Sequence, residues 1–131
     1  MEDQVQSSAC PIMQECIRKV RENATERARI NREYEYNYSQ LQFAKVYAWR
    51  FRDDYRDIME TVAGMYFEAD PTERTILVQV MMAVTRVYWQ RYRRHVADIN
   101  YFQNLVKKYA DQYADNMAEA AVIEVDCYNC K

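Results

Sequence analysis

Glycine occurs once in this chain, at Gly64, and proline twice, at Pro11 and Pro71. Over 131 residues, that scarcity constrains the fold more than any other feature. Tight turns, bulges and sheet corners draw on glycine and proline for backbone angles that other residues adopt poorly. A β-sandwich, a barrel or a doubly wound α/β domain is therefore excluded, and one glycine cannot build a phosphate-cradling loop. Long stretches without a breaker permit long helices instead.

Only one interior position carries strong punctuation. Asp70-Pro71-Thr72-Glu73 places a carboxylate where free N–H groups need an acceptor. Proline follows at the first helical position, where its missing N–H costs nothing, and a glutamate stands at the third. A helix is expected to start at Pro71. Because Pro71 disfavours helical geometry at Asp70, the preceding helix is expected to end near 68, with a turn at 69–70. Cys10-Pro11 is a weaker start of the same kind, capped by Ser7 or Ser8.

Between these marks the hydrophobic period is helical. On the first segment a stripe runs Met13, Cys16, Val20, Asn23, Arg27, Ile30, Tyr34, Asn37, Leu41, Ala44, Ala48, Phe51, Tyr55, Ile58, Val62 and Met65. Only Asn23, Arg27 and Asn37 interrupt it. After Pro71 a second stripe steps by three or four residues through Leu77, Met81, Val84, Tyr88, Tyr92, His95, Ile99, Phe102, Val106, Tyr109, Tyr113, Met117 and Ala120. Each is one face of a long amphipathic helix.

The expected fold is all-α: a long antiparallel, coiled-coil-like helical hairpin. Its helices cover about 11–68 and 71–121, forming one domain over 10–121. A disordered segment, 1–9, precedes it, and a tail over 122–131 carries a CxxC. A turn at 69–70 sets facing residue numbers to total about 140. Phe51 then meets Tyr88, Tyr55 meets Val84, and Val62 meets Leu77. Charge agrees with this register, because the mainly basic stretch 18–32 falls opposite the acidic stretch 111–126. Exposed ion pairs add little stability, so charge selects register and apolar burial supplies the energy.

Two helices bury one stripe each, yet 41–51 and 76–89 are apolar on more than one face. Either the helices break near Asn37-Tyr38-Ser39 and Asp98-Ile99-Asn100 and fold into a four-helix bundle, or the extra faces bind another chain. The continuous, associating hairpin is the preferred expectation.

Composition narrows function. The formal net charge is −2, so there is no global pull toward nucleic acid or anionic membrane. The longest apolar run, Ile76–Trp89, is too short and too interrupted to span a bilayer. Met1–Ser8 has no secretory signature. These features point to an intracellular protein, cytoplasmic or nuclear and not secreted, with reduced cysteines. His95 is the single histidine, which argues against catalytic triads and multi-histidine metal centres. No nucleophile, acid/base pair, cofactor box or small-molecule site is legible, so a non-enzymatic protein with no cofactor is expected.

Two constellations remain. Cys10, Cys16, Cys127 and Cys130 come from the two ends of the hairpin, which its folding brings together. They could hold a structural zinc ion or form a disulfide clip, although Cys16 also suits the seam as a small apolar residue. Mid-hairpin, Tyr47, Trp49, Arg50 and Arg52 fall alongside Arg86, Trp89, Arg91, Arg93 and Arg94. Trp, Tyr and Arg combine large apolar area with oriented donors and are enriched at protein interfaces. The same belt could clamp phosphates and stack bases. The expected function is a helical protein–protein interaction module, such as a scaffold, adaptor or complex subunit, acting on a protein partner or by self-association. The alternative is a nucleic-acid-associated protein using the same arginines.

Overall fold

The computed structural model describes the backbone of residues 2–129 and the side chains of residues 12–129. It contains two helices packed against each other, α1 (Glu2–Glu68) and α2 (Pro71–Asn129), and no strand among the described residues. The all-α hairpin required by the dearth of glycine and proline is what forms. The breaks of the alternative, four-helix arrangement do not occur, since Asn37-Tyr38-Ser39 and Asp98-Ile99-Asn100 are helical throughout. Asn37 shows why: its side-chain amide donates to the carbonyl of Glu33 one turn back at 2.7 Å. Its polar group is thus satisfied inside the helix rather than competing with it.

The turn follows the sequence closely. Asp70 Oδ1 accepts from the Glu73 N–H at 2.8 Å, and the Asp70 carbonyl accepts the first helical bond from Arg74 N at 2.9 Å. Arg74 adds a contact that spacing did not reveal. Its guanidinium donates to the carbonyls of Tyr66 (3.1 Å) and Phe67 (3.4 Å) and lies over the Tyr66 ring at 5.1 Å. One residue of α2 thereby satisfies carbonyls left open at the end of α1.

Two boundaries differ from expectation. α1 starts at Glu2, ahead of Pro11. α2 continues to Asn129 instead of yielding to a tail at 122. The segment after Ala120 contains no breaker, Ile123 is buried, and Cys127 is bonded to α1, so packing carries the helix onward.

The chain divides into two compact units, Met1–Asn37 with Asn104–Lys131, and Tyr38–Gln103. In the first, Cys16, Asn23, Ile30 and Asn37 of α1 are buried, as are Asn116 and Ile123 of α2. In the second, Leu41, Val62 and Tyr88 are buried, with Phe51, Tyr55, Leu77, Met81, Val84 and Tyr92 half-buried. Within each unit the seam pairs, Asn23 with Asn116, Phe51 with Tyr88 and Tyr55 with Thr85, have numbers totalling about 140. The expected register is the observed one.

The stripes drift from the expected positions at their ends. Ile58 and Met65 are exposed, and Met59 and Tyr66 take their place in the seam. Met117 is exposed, and Asn116 is buried instead. On α1 a helix of 3.6 residues per turn slips relative to a strict seven-residue repeat, so the heptad misses by one residue beyond Tyr55. On α2 the buried Tyr88, Asn116 and Ile123 keep a seven-residue spacing, and the expected stripe steps off it after Tyr109. The charge argument is also refined. Every described ion pair lies within α1, as Arg18 with Glu15 and Glu22, Arg29 with Glu26, and Arg56 with Asp53 and Asp57. No described ion pair crosses the seam.

Candidate interaction surface

The best-defined surface lies in the Tyr38–Gln103 unit and is built on an aromatic stack. Tyr88 faces Tyr55 with ring centroids 4.0 Å apart, and Phe51 at 5.2 Å in a nearly parallel arrangement. Tyr92 lies 5.7 Å away along α2, and His95 tilts against Phe51 at 5.4 Å. These rings are neighbours because 51 and 55 on α1, and 88, 92 and 95 on α2, repeat at helical spacing and face each other in register. The Tyr55 hydroxyl is hydrogen-bonded to Thr85 Oγ1 at 3.0 Å, which keeps its polar end satisfied beside the seam. Burial among these rings raises the pKa of Tyr88, with Tyr92 and Tyr55 adding to the shift and Arg52 opposing it. His95 therefore takes its place among the packed rings, as its position on the stripe implied.

The residues expected to form the interface fall into two groups. Trp89 packs edge-on against Tyr88 (5.6 Å) and Tyr92 (5.5 Å), and Arg91 lies over Phe51 at 5.9 Å. The structure joins these two to the aromatic stack. Tyr47, Trp49, Arg50, Arg52, Arg86, Arg93 and Arg94 are exposed. No ring contact or ion pair joins Tyr47, Trp49 or Arg50 to α2 among the described residues. Trp49 is 71% exposed and Trp89 51%.

Sequence reasoning missed how the uncovered apolar residues are organised. Phe43, Val46 and Trp49 share the outer face of α1, at steps of three. On α2, Val78, Met82 and Trp89 flank one side of the seam, and Ile76, Val80 and Val87 flank the other. A groove of about 450 Å³ runs along the latter side, between Phe51, Asp54, Tyr55 and Ile58 of α1 and Ala83, Val84, Val87, Tyr88 and Arg91 of α2. A second groove of about 470 Å³ lies on the other side, against Met59, Val78, Met81, Met82, Thr85 and Arg86. The signal was present as apolar residues at 76, 78, 80, 82 and 87. Their division into two flanks follows only once the seam is known.

The cysteine constellation resolves differently. Cys16 and Cys127 form a disulfide with a Cα–Cα distance of 5.7 Å, closing the two ends of the Met1–Asn37 and Asn104–Lys131 unit. The side chain of Cys10 and the whole of Cys130 lie outside the described residues. The closed bridge withdraws two of the four proposed zinc ligands, because a disulfide sulfur is not a thiolate. It also corrects the expectation that all the cysteines are reduced. That expectation came from compartment, whereas antiparallel packing brings these two Cα atoms to the separation a bridge requires. Among the described residues no group of three or more His, Cys, Asp or Glu side chains is placed to hold a metal ion. No described helix is long and apolar enough to cross a membrane.

No family model matches this chain, and no curated protein and no solved structure is significantly similar to it.

Proposed function

We propose that this chain is a non-enzymatic helical interaction module, a scaffold, adaptor or complex subunit, that works through the 41–52 and 76–94 surfaces. The observation that carries this reading is the uncovered apolar area of the Tyr38–Gln103 unit, where Phe43, Val46 and Trp49 stand exposed on the outer face of α1 and Val78, Met82 and Trp89 on one flank of α2. Isolated exposed hydrophobics are ordinary, but groups of them mark binding sites. Rigid aromatic anchors beside arginines match the composition of interface hot spots. The test is purification of the tagged full chain from its source cells after nuclease treatment. A fixed set of proteins is expected to be retained and to be lost with the Trp49→Ala, Trp89→Ala double variant. Retention that ignores both tryptophans overturns the reading.

A second reading, association with nucleic acid, is favoured by one observation. Arg50, Arg52, Arg86, Arg91, Arg93 and Arg94 form no ion pair among the described residues, whereas Arg18, Arg29 and Arg56 all do. Unpaired guanidinium groups are available for phosphates. This reading predicts retention on nucleic acid that falls steeply with salt and disappears with Arg91, Arg93 and Arg94 replaced by alanine.

A further inference from the structure

We infer that the groove bounded by Asp54 and Arg91 is the seat of a second copy of this chain, paired side by side about a two-fold axis parallel to the helices. The inference rests on the interaction-module reading and names its partner.

Three observations carry it. The first is exposure. On this flank Ile58 is 47% exposed, Ile76 55%, Val80 41% and Val87 46%, apolar surface that two helices leave uncovered. The second is apolar continuity. One wall of the groove carries Ile58 and the other Val87, both of them exposed. Two helices leave these flanks open, and a four-helix arrangement closes them.

The third is charge, and it selects the occupant. Asp54 and Arg91 line the same groove from opposite helices and make no ion pair with each other or with any other described residue. An isologous interface brings residue i against residue j and j against i, so a self-paired face must be its own electrostatic complement. A two-fold axis parallel to the helices sets α1 of one copy antiparallel to α2 of the other, at the same level. Side chains lean toward the N-terminus of their own helix. Asp54 and the second copy's Arg91 therefore lean toward each other, and the contact occurs twice. Both charges lie beside apolar walls, where pairing across an interface contributes more than it does in open water.

The experiment is analytical ultracentrifugation of the full oxidised chain, with circular dichroism as the folding control. Wild type is expected to sediment as a concentration-dependent dimer. Asp54→Arg and Arg91→Asp, each alone, set like charges face to face twice and are expected to weaken the dimer at least about tenfold with helicity unchanged. Mixing the two variants makes both contacts attractive again and is expected to restore a heterodimer. A wild-type chain that stays monomeric, or variants that fail to restore each other, overturns the inference. The interaction-module reading survives that failure if a monomeric chain still retains proteins through Trp49 and Trp89. It falls with the inference if the chain retains none.

Discussion

Asn23 and Asn116 exchange hydrogen bonds across the seam: each side-chain amide donates to the other's backbone carbonyl at 3.1 Å. Arg27 completes the layer by donating to Asn116 Oδ1 at 2.9 Å and to Asn23 Oδ1 at 2.5 Å. The two asparagines are only 6% and 5% exposed, and no buried side-chain nitrogen or oxygen among the described residues lacks a partner. A buried polar layer of this kind adds little net stability, yet it penalises every register in which its members miss each other. What looked in the sequence like a weak stretch of α1 is therefore the element that fixes alignment in the Met1–Asn37 and Asn104–Lys131 unit.

Replacing Asn116 by Leu removes an acceptor from Arg27 and a donor from the Asn23 carbonyl. The amide of Asn23 keeps its backbone acceptor but loses its reciprocal partner. The expected cost is about 1–3 kcal/mol, the range for stranding a buried polar group. Urea denaturation of the variant checks it. Adding Asn23→Leu together with Arg27→Leu turns the layer apolar and should recover part of the loss, whereas simple additivity of the costs would show that the three residues do not act as a unit.

The Cys16–Cys127 bridge closes a loop of 111 residues in sequence separation. Cross-links over such distances act mainly by restricting the unfolded chain and contribute about 2–5 kcal/mol. Thermal melting with and without reductant should reveal a lower midpoint on reduction, and Cys16→Ser should reproduce it. Identical melts would mean that the bridge does not restrict unfolding.

Tyr88 sets a pH limit. Burial among Phe51, Tyr55 and Tyr92 raises its phenol above the ordinary value of 10.0. The folded state thus holds its proton more tightly than the unfolded state does. Its contribution to stability is complete below pH 10.0 and is lost as pH rises through the folded value. Ultraviolet titration of tyrosinate should show one group ionising late, and Tyr88→Phe should delete that component. A titration unchanged by Tyr88→Phe would contradict this assignment.

Two single changes test the helix ends and interior in opposite directions. Gly64 is exposed within α1, and a Cβ built there meets nothing within 4 Å. Gly64→Ala should therefore stabilise by about 0.5–1 kcal/mol through lower unfolded-state entropy. Asp70→Ala removes the acceptor for the Glu73 N–H and should cost about 1 kcal/mol. Chemical denaturation of both variants decides the signs, and a destabilised Gly64→Ala would point to a close neighbour on that face.

The helical class, the turn at Asp70-Pro71 and the register near 140 could all be read from the residues alone. These depend on local chemistry and periodicity: too few breakers to build anything else, one capped proline, and two stripes that must face each other. The register was legible because a short turn at 69–70 leaves one way for the residues of the two stripes to face each other. Tertiary structure decided what local pattern leaves open. It placed Tyr66 rather than Met65 in the seam, because a long helix drifts against a fixed repeat, and it seated Asn116 rather than Met117 there through its reciprocal hydrogen bonds with Asn23. The hairpin was expected to bring the terminal cysteines together, and packing settled that Cys16 bonds to Cys127, 111 positions away. The exposed apolar residues of 76–89 became two distinct flanks only after Tyr88 and Val84 had been committed to the seam. A side chain's own chemistry says whether it seeks burial, and only the packed neighbours decide which ones obtain it.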